Sequence, residues 1–280
     1  MARLTDFTDQ LGKTISLDHI PRRIISLVPS QTELLHTLGL EEEVVGITKF
    51  CVHPPAWFRS KTRIGGTKDV RLETIHKLQP DLILANKEEN DKQQVETLSL
   101  HYPVWTSDIK NLPGALAMIR SVGELTGKGS RGESLAAEIE RGFSGLPAHL
   151  PDGNAARPPA ETLPHSTPRT AYFIWRKPWM VAGGDTFIQD MLHRCGLVNL
   201  FQDRDRYPSI ELESLSGSGC RFILLSSEPY PFKDRHIAEI RTVLPHAAIH
   251  LVDGELFSWY GSRLLHAPAY FRRLQETLSV

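Results

Sequence analysis

The run Phe50-Cys51-Val52-His53-Pro54-Pro55 holds the first residues whose types and spacing could do chemistry. A thiolate and an imidazole two positions apart can both reach one soft or borderline metal ion. The same two groups can form a nucleophile and its base. Packing, or lining a cleft, is the third use open to Cys51 and His53. His266, near the start of the last helical pattern, is one more imidazole that could serve as an axial ligand. Trp175, Trp179 and Trp259 stand beside Arg176, Lys177, Tyr260 and Arg263, at the ends of expected strands or in the loops after them. Aromatic faces at such places grip a large flat ligand by stacking and apolar contact; core or lid packing is the alternative. Glu73 and Glu213 lie near the starts of two short helices, where a carboxylate offsets the helix dipole by ~0.3–1 kcal/mol. No Gly-x-Ser-x-Gly elbow, phosphate-cradling loop with its lysine, or His-Glu-x-x-His motif occurs. Gly65-Gly66 and Gly183-Gly184 read as tight turns.

The elements that must position these groups alternate. Ile24 to Val28, Val44 to Ile47, Leu82 to Ala85 and Val104-Trp105 are short apolar runs expected as buried strands. Between them lie helical patterns after Pro29, over Leu72 to Leu78 and over Asp91 to Leu98. Ser30 and Glu33 have capping-box spacing. This alternation predicts a parallel sheet covered on both faces. Leu116, Ile119, Val122 and Leu125, then Leu135, Ile139 and Phe143, keep an apolar stripe from about 112 to 146. One helix of that length would run roughly 40–50 Å, a rigid spacer, weakened in its middle by Gly127, Gly129 and Gly132. The second half repeats the theme. Strands are expected at Thr170 to Trp175, Trp179 to Ala182, Arg221 to Ser226 and Ile249 to Val252. Helices are expected at Phe187 to Cys195, capped by Asp185 or Thr186, at Glu211 to Leu215, at Ile237 to Val243 and at Pro268 to Leu278. The expected layout is an N-terminal α/β lobe over 1–110, a backbone helix over 111–146, a proline-rich flexible loop over 147–168 and a C-terminal α/β lobe over 169–280.

At 280 residues the chain can bury two cores. Its 32 Lys and Arg against 33 Asp and Glu lack the basic excess of a nucleic-acid binder. Three widely spaced cysteines, Cys51, Cys195 and Cys220, predict no disulfide framework, and the last two read as packing residues. No apolar stretch reaches the ~18 residues of a membrane span. The polar start predicts a chain without a secretory signal, hence cytoplasmic as it stands, or periplasmic if the sequence is a trimmed mature form.

The whole chain resembles the periplasmic binding proteins of the vitamin B12 and iron-chelate ABC importers, the cobalamin-binding type most closely. The resemblance rests on Arg23-Ile24-Ile25-Ser26-Leu27-Val28-Pro29-Ser30 with Thr32-Glu33-Leu34, on Val45-Gly46-Ile47-Thr48 with Pro54-Pro55, and on Ile64-Gly65-Gly66. It continues through Leu72-Glu73-Thr74-Ile75, Leu78-Gln79-Pro80-Asp81-Leu82-Ile83, Gly183-Gly184-Asp185-Thr186-Phe187-Ile188, Cys195-Gly196-Leu197-Val198-Asn199, and Tyr207-Pro208-Ser209-Ile210 with Glu213. It implies two Rossmann-like α/β lobes joined by a long backbone helix, with the ligand between the lobes and no enzymatic activity. Phe50 and Trp179 fall at the family's cleft aromatics, and Trp259 in the loop that closes the second lobe. Glu73 and Glu213 fall on its two docking glutamates, which pair with arginines of the membrane permease. Asn86 stands where B12 binders carry a cleft tryptophan. The implied cargo is a corrinoid (cobalt), haem or ferric chelate, with Cys51, His53 or His266 as possible axial ligands, no intrinsic cofactor, and a monomeric receptor. A cytoplasmic carrier or sensor that meets no permease is the second reading. An enzyme acting on the chelate through Cys51 is the third.

Overall fold

The computed structural model describes residues 5–146 and 169–279, and the proline-rich stretch 147–168 lies outside the described residues. Two compact units are present. One comprises Met1–Ile109, Pro113–Glu140 and Tyr260–Arg263; the other comprises Lys110–Leu112, Arg141–Trp259 and Leu264–Val280.

In the first unit, β1 (Thr5–Thr8) and β2 (Thr14–Leu17) form an antiparallel hairpin. There follow β3 (Ile24–Ser26), α1 (Pro29–Thr37), β4 (Val44–Ile47), α2 (Pro55–Ser60), β5 (Thr62–Arg63), α3 (Leu72–Leu78), β6 (Leu82–Asn86), α4 (Lys92–Ser99) and β7 (Val104–Ser107). The strands form one parallel sheet ordered β5-β4-β3-β6-β7. Every residue of β3, β6 and β7 is buried, as expected of parallel strands covered on both faces. Gly46 gives α3 room, since a Cβ there would lie 2.9 Å from Leu78 Cδ1. The chain winds from β3 to β4 and β5 on one side, then starts again with β6 and β7 on the other. The carboxyl ends of β3 and β6 therefore flank a topological switch point, where open α/β sheets bind ligands.

Where the apolar stripe predicts one long helix, there are two: α5 (Leu112–Leu125) and α6 (Gly129–Ser144). Gly127 adopts a left-handed φ of 68° and ends the first. The helices then fold back on each other. A Cβ on Gly123 would lie 3.1 Å from Gly132 Cα, a contact only glycines permit, and Arg120 reaches across to Glu133 at 2.7 and 3.2 Å. At 16 residues α6 is about 24 Å long, half the expected span, and the division between the units falls inside it, after Glu140. The capping box expected at Ser30 and Glu33 is not formed either. Helix α1 opens on Pro29 with no side-chain cap, and Glu33 is taken by Arg263.

The second unit contains β8 (Arg169–Trp175), β9 (Trp179–Val181), α7 (Phe187–Arg194), β10 (Val198–Asn199), β11 (Ser209–Ile210), β12 (Cys220–Ser226), α8 (Asp234–Val243), β13 (Ala248–Val252), α9 (Glu255–Ser258) and α10 (Ala267–Leu278). Its sheet runs β11-β9-β8-β12-β13, with β10 also against β8; β9 and β11 are antiparallel and the rest parallel. Ala171, Phe173, Val181, Ile223, Leu225 and Ile240 make its core. Thr186 caps α7 by accepting from the Gln189 N–H at 3.2 Å, as the sequence predicts. Gly183 and Gly184 do more than turn. Their N–H groups donate to Arg206 O and Arg204 O at 2.8 and 2.7 Å, and a Cβ on either would collide with the backbone carbonyls of Arg204 and Gln202.

Candidate functional site

The loops after β3, β4 and β6 form the carboxyl rim of the first unit's sheet. Beyond β4 the chain exposes Phe50 (50%) and Val52 (42%), a large outlay of apolar surface for a short loop. Cys51 between them turns inward and is fully buried. Its Sγ sits 3.1 Å from both the Thr32 and Thr48 hydroxyls, and burial pushes the thiol up to about 11. An enclosed sulfur whose burial favours the thiol form agrees with the packing use of Cys51 and weighs against a thiolate ligand or nucleophile. His53 is half-buried in the same loop. Among the described residues, no three His, Cys, Asp or Glu side chains converge as a metal-holding group.

Asn86, at the end of β6, is also turned to internal work. Its Oδ1 accepts from the N–H groups of Glu88 and Glu89 at 2.8 and 3.1 Å, and its Nδ2 donates to Ser107 Oγ at 3.0 Å. Asn90 then donates to Leu27 O and Thr67 O, tying the β6 end to the β3 end across the switch point. Glu89, positioned by this loop, accepts a hydrogen bond from Tyr260. The Tyr260 phenol is pushed well up, first by burial and then by the Glu89 charge. Arg263 grips Glu33 of α1 with two bonds, at 3.0 and 2.6 Å. Tyr260 and Arg263, expected on an open ligand face, therefore anchor their own segment to the first unit.

The rim of the second unit is aromatic. Trp175, 40% exposed at the end of β8, lies 5.7 Å from Tyr230 between ring centroids. Tyr230 lies 4.8 Å from Phe232, and Phe232 lies parallel to Trp179 at 6.1 Å. Four rings thus form one continuous row. Arg176 covers Trp179 at 5.4 Å and is held by Glu239 through bonds of 2.9 and 2.6 Å. Behind the row His236 is buried; its Nδ1 accepts from the Lys233 N–H at 2.8 Å, which requires a neutral ring. Burial, then the charges of Arg235 and Arg176, push its pKa down. Trp259 is 7% exposed and donates to Glu228 Oε1 at 2.8 Å, so it packs where an open stacking face was expected. His266 is exposed at the start of α10. Glu73 and Glu213 are exposed in the first turns of α3 and of the 3-10 turn Leu212–Leu215.

Of the expected residues, the structure gathers Phe50, Cys51 and His53 on one loop, and Trp175 with Trp179 on one hairpin. Sequence reasoning missed Glu89, Glu228, Tyr230, Phe232 and His236. The signal for three of them was present: Glu228-Pro229-Tyr230-Pro231-Phe232 directly follows an apolar strand, the same context that drew attention to Trp175.

Each of the two units is an α/β sheet whose carboxyl rim carries aromatic side chains, an architecture found in two-lobed binding proteins. The family model for periplasmic binding proteins matches residues 24–242, and the chain belongs to that family. It is 25% identical over 253 residues to the vitamin B12-binding protein of Pectobacterium carotovorum subsp. carotovorum strain PC1, covering 89% of this chain and 86% of that one. Two solved structures show the same two-lobe α/β fold. The periplasmic vitamin B12 binding protein BtuF of Vibrio cholerae superposes with a TM-score of 0.74 at 19% identity, over 93% of this chain and 98% of that chain. The periplasmic heme-binding protein BhuT, solved with two hemes, gives 0.75 at 22% identity over 91% and 98%.

Proposed function

We propose that this chain binds a metal-bearing chelate of the corrinoid, haem or ferric-chelate class, without transforming it, as the substrate-binding component of an ABC-type importer. The observation that carries this reading is the row Trp175–Tyr230–Phe232–Trp179 at the carboxyl rim of the second unit's sheet. In this row Trp175 is exposed and Tyr230 and Trp179 are half-buried, with Phe232 packed into the core beneath them; such an aromatic rim suits a large flat ligand, which gains affinity by burying apolar area. Exposed Phe50 and Val52 offer further apolar area on the first unit. Relatives and structural neighbours named for vitamin B12 and heme support the cargo class. The metal belongs to the cargo, and His53 and His266 are the imidazoles this reading offers as axial ligands. Glu73 and Glu213 would meet arginines of a permease; both are exposed, and neither forms an ion pair among the described residues. A periplasmic site of action and a monomeric receptor go with this reading.

Tryptophan fluorescence tests it. Titration with cyanocobalamin, cobinamide, haemin and a ferric hydroxamate should give saturable quenching by at least one of them, weakened about tenfold or more by Trp179→Ala. Absence of a saturable response to all four would overturn the reading.

A further inference from the structure

Glu228 enters the account above only as the acceptor for Trp259, yet its setting is built. It follows β12 by two residues and precedes Tyr230 by two, so it stands on the same rim as the ring row. Its Oε1 accepts from Ser258 Oγ at 2.6 Å and from Trp259 Nε1 at 2.8 Å. These two donors, one a buried indole, fix the carboxylate. Gly254 leaves the slot it occupies, since a Cβ there would lie 2.8 Å from Glu228 Cγ. The second oxygen, Oε2, accepts no hydrogen bond from the described residues and is not sealed from solvent. A carboxylate held at one oxygen and open at the other can accept from a ligand.

Its electrostatic surroundings restrict which ligand. Burial, and then the charges of Glu255 and Asp253, both acidic, push the Glu228 carboxyl above its ordinary range, and no cation pairs with it among the described residues. Of the two arginines at this rim, Arg176 is engaged at both ends of its fork by Glu239, and Arg235 is turned to His236 Nε2 at 3.3 Å. Lys177, Lys233 and Arg235 are exposed, where solvent screens their charges. A ligand fringed with carboxylates would meet like charge and find no committed cation. A ligand fringed with amides would present N–H donors to a fixed acceptor, and once the carboxyl is ionised, on the alkaline side of neutral, the bond is of the stronger, charge-assisted kind. Repulsion of the wrong fringe adds to attraction of the right one in setting specificity.

We propose that Glu228 selects the cargo by its fringe, accepting a hydrogen bond from a peripheral amide of a corrinoid and turning away macrocycles edged with carboxylates, as haem is. The inference rests on the binding reading above and names the cargo class within it. The test compares cyanocobalamin with cyanocobalamin whose peripheral amides have been hydrolysed to carboxylates, on the full chain at about pH 8. Wild-type protein should bind the amide form about tenfold or more tighter, and Glu228→Gln, which keeps shape and removes charge, should narrow that ratio to about twofold. The wild-type comparison needs no variant, and a melting curve shows whether Glu228→Gln is folded. Tight binding of cyanocobalamin with no preference over its acids, or a preference that Glu228→Gln leaves intact, would overturn this inference and leave the binding reading standing. Binding of neither form, with haemin bound instead, would overturn the inference from the other side. No binding of any macrocycle would overturn both.

Discussion

Cys51 separates a reactive thiol from a structural one by a measurable factor. An ordinary thiol of pKa 9.0 is about 10% ionised at pH 8, whereas one near 11 is about 0.1% ionised, so Cys51 should hold roughly a hundredfold less thiolate. Full burial between Thr32 and Thr48 lowers access further. Iodoacetamide labelling of the native protein, mapped by mass spectrometry, should therefore show Cys51 modified at least ~100-fold more slowly than in urea, once normalised to a free-thiol standard. Added Zn²⁺ or Co²⁺ should not change the rate. The sign of the linked stability follows from the raised value. The contribution is complete below the ordinary thiol value of 9.0 and is lost as pH climbs through about 11. It amounts to a few kcal/mol, and Cys51→Ala should flatten that part of the alkaline unfolding curve. Native labelling within about threefold of the free thiol, or protection by metal, would refute the enclosed-thiol reasoning and restore Cys51 as a ligand.

Other substitutions probe the scaffold. Gly184→Ala forces the backbone away from the Gln202 carbonyl and breaks the bonds of Gly183 and Gly184 to Arg206 and Arg204; a loss of about 2–4 kcal/mol is expected in urea unfolding. Arg263→Lys keeps charge but loses the two-pronged grip on Glu33. It should lower stability by about 1–2 kcal/mol, and a double-mutant cycle with Glu33→Gln should show the coupling. His236 is held neutral with its pKa lowered, so its contribution is complete above the ordinary histidine value and is lost as pH falls below it. His236→Asn, which can keep an acceptor for the Lys233 N–H, should make the melting temperature less sensitive to acid between about pH 7 and 5.

How far the sequence was legible depends on the range of the interaction. Strands β3, β4, β6, β8 and β12 announce themselves as apolar runs because strands inside such sheets are largely buried on both faces, and the edge strand β13, with Leu251 exposed, still reads as a short apolar run. Helices α3, α4 and α7 follow from local patterning and caps at Asp91 and Thr186. The hairpin β1–β2 is short and threonine-rich, and β10 and β11 are two-residue pairings, so none carries a periodic signal. The break between α5 and α6 was foreshadowed by three glycines, but the contact of Gly123 with Gly132 is tertiary and cannot be read from spacing. The same limit applies to the site. Strand-end position picked out Phe50, Trp175 and Trp179. It could not show that Cys51 turns inward, that Asn86 and Trp259 are occupied by internal partners, or that Arg263 would find Glu33 across 230 positions of chain.

The most direct test of the account is the melting temperature of the purified chain with and without excess cyanocobalamin, haemin or a ferric hydroxamate. A ligand at 100 times its dissociation constant adds about 2.7 kcal/mol to the folded state. For a chain of this size that corresponds to a rise of roughly 4–6 °C. The account predicts such a rise with a metal-bearing chelate, largest with the corrinoid, and a smaller one after Trp179→Ala. An unchanged melting temperature with all three ligands at millimolar concentration would contradict it.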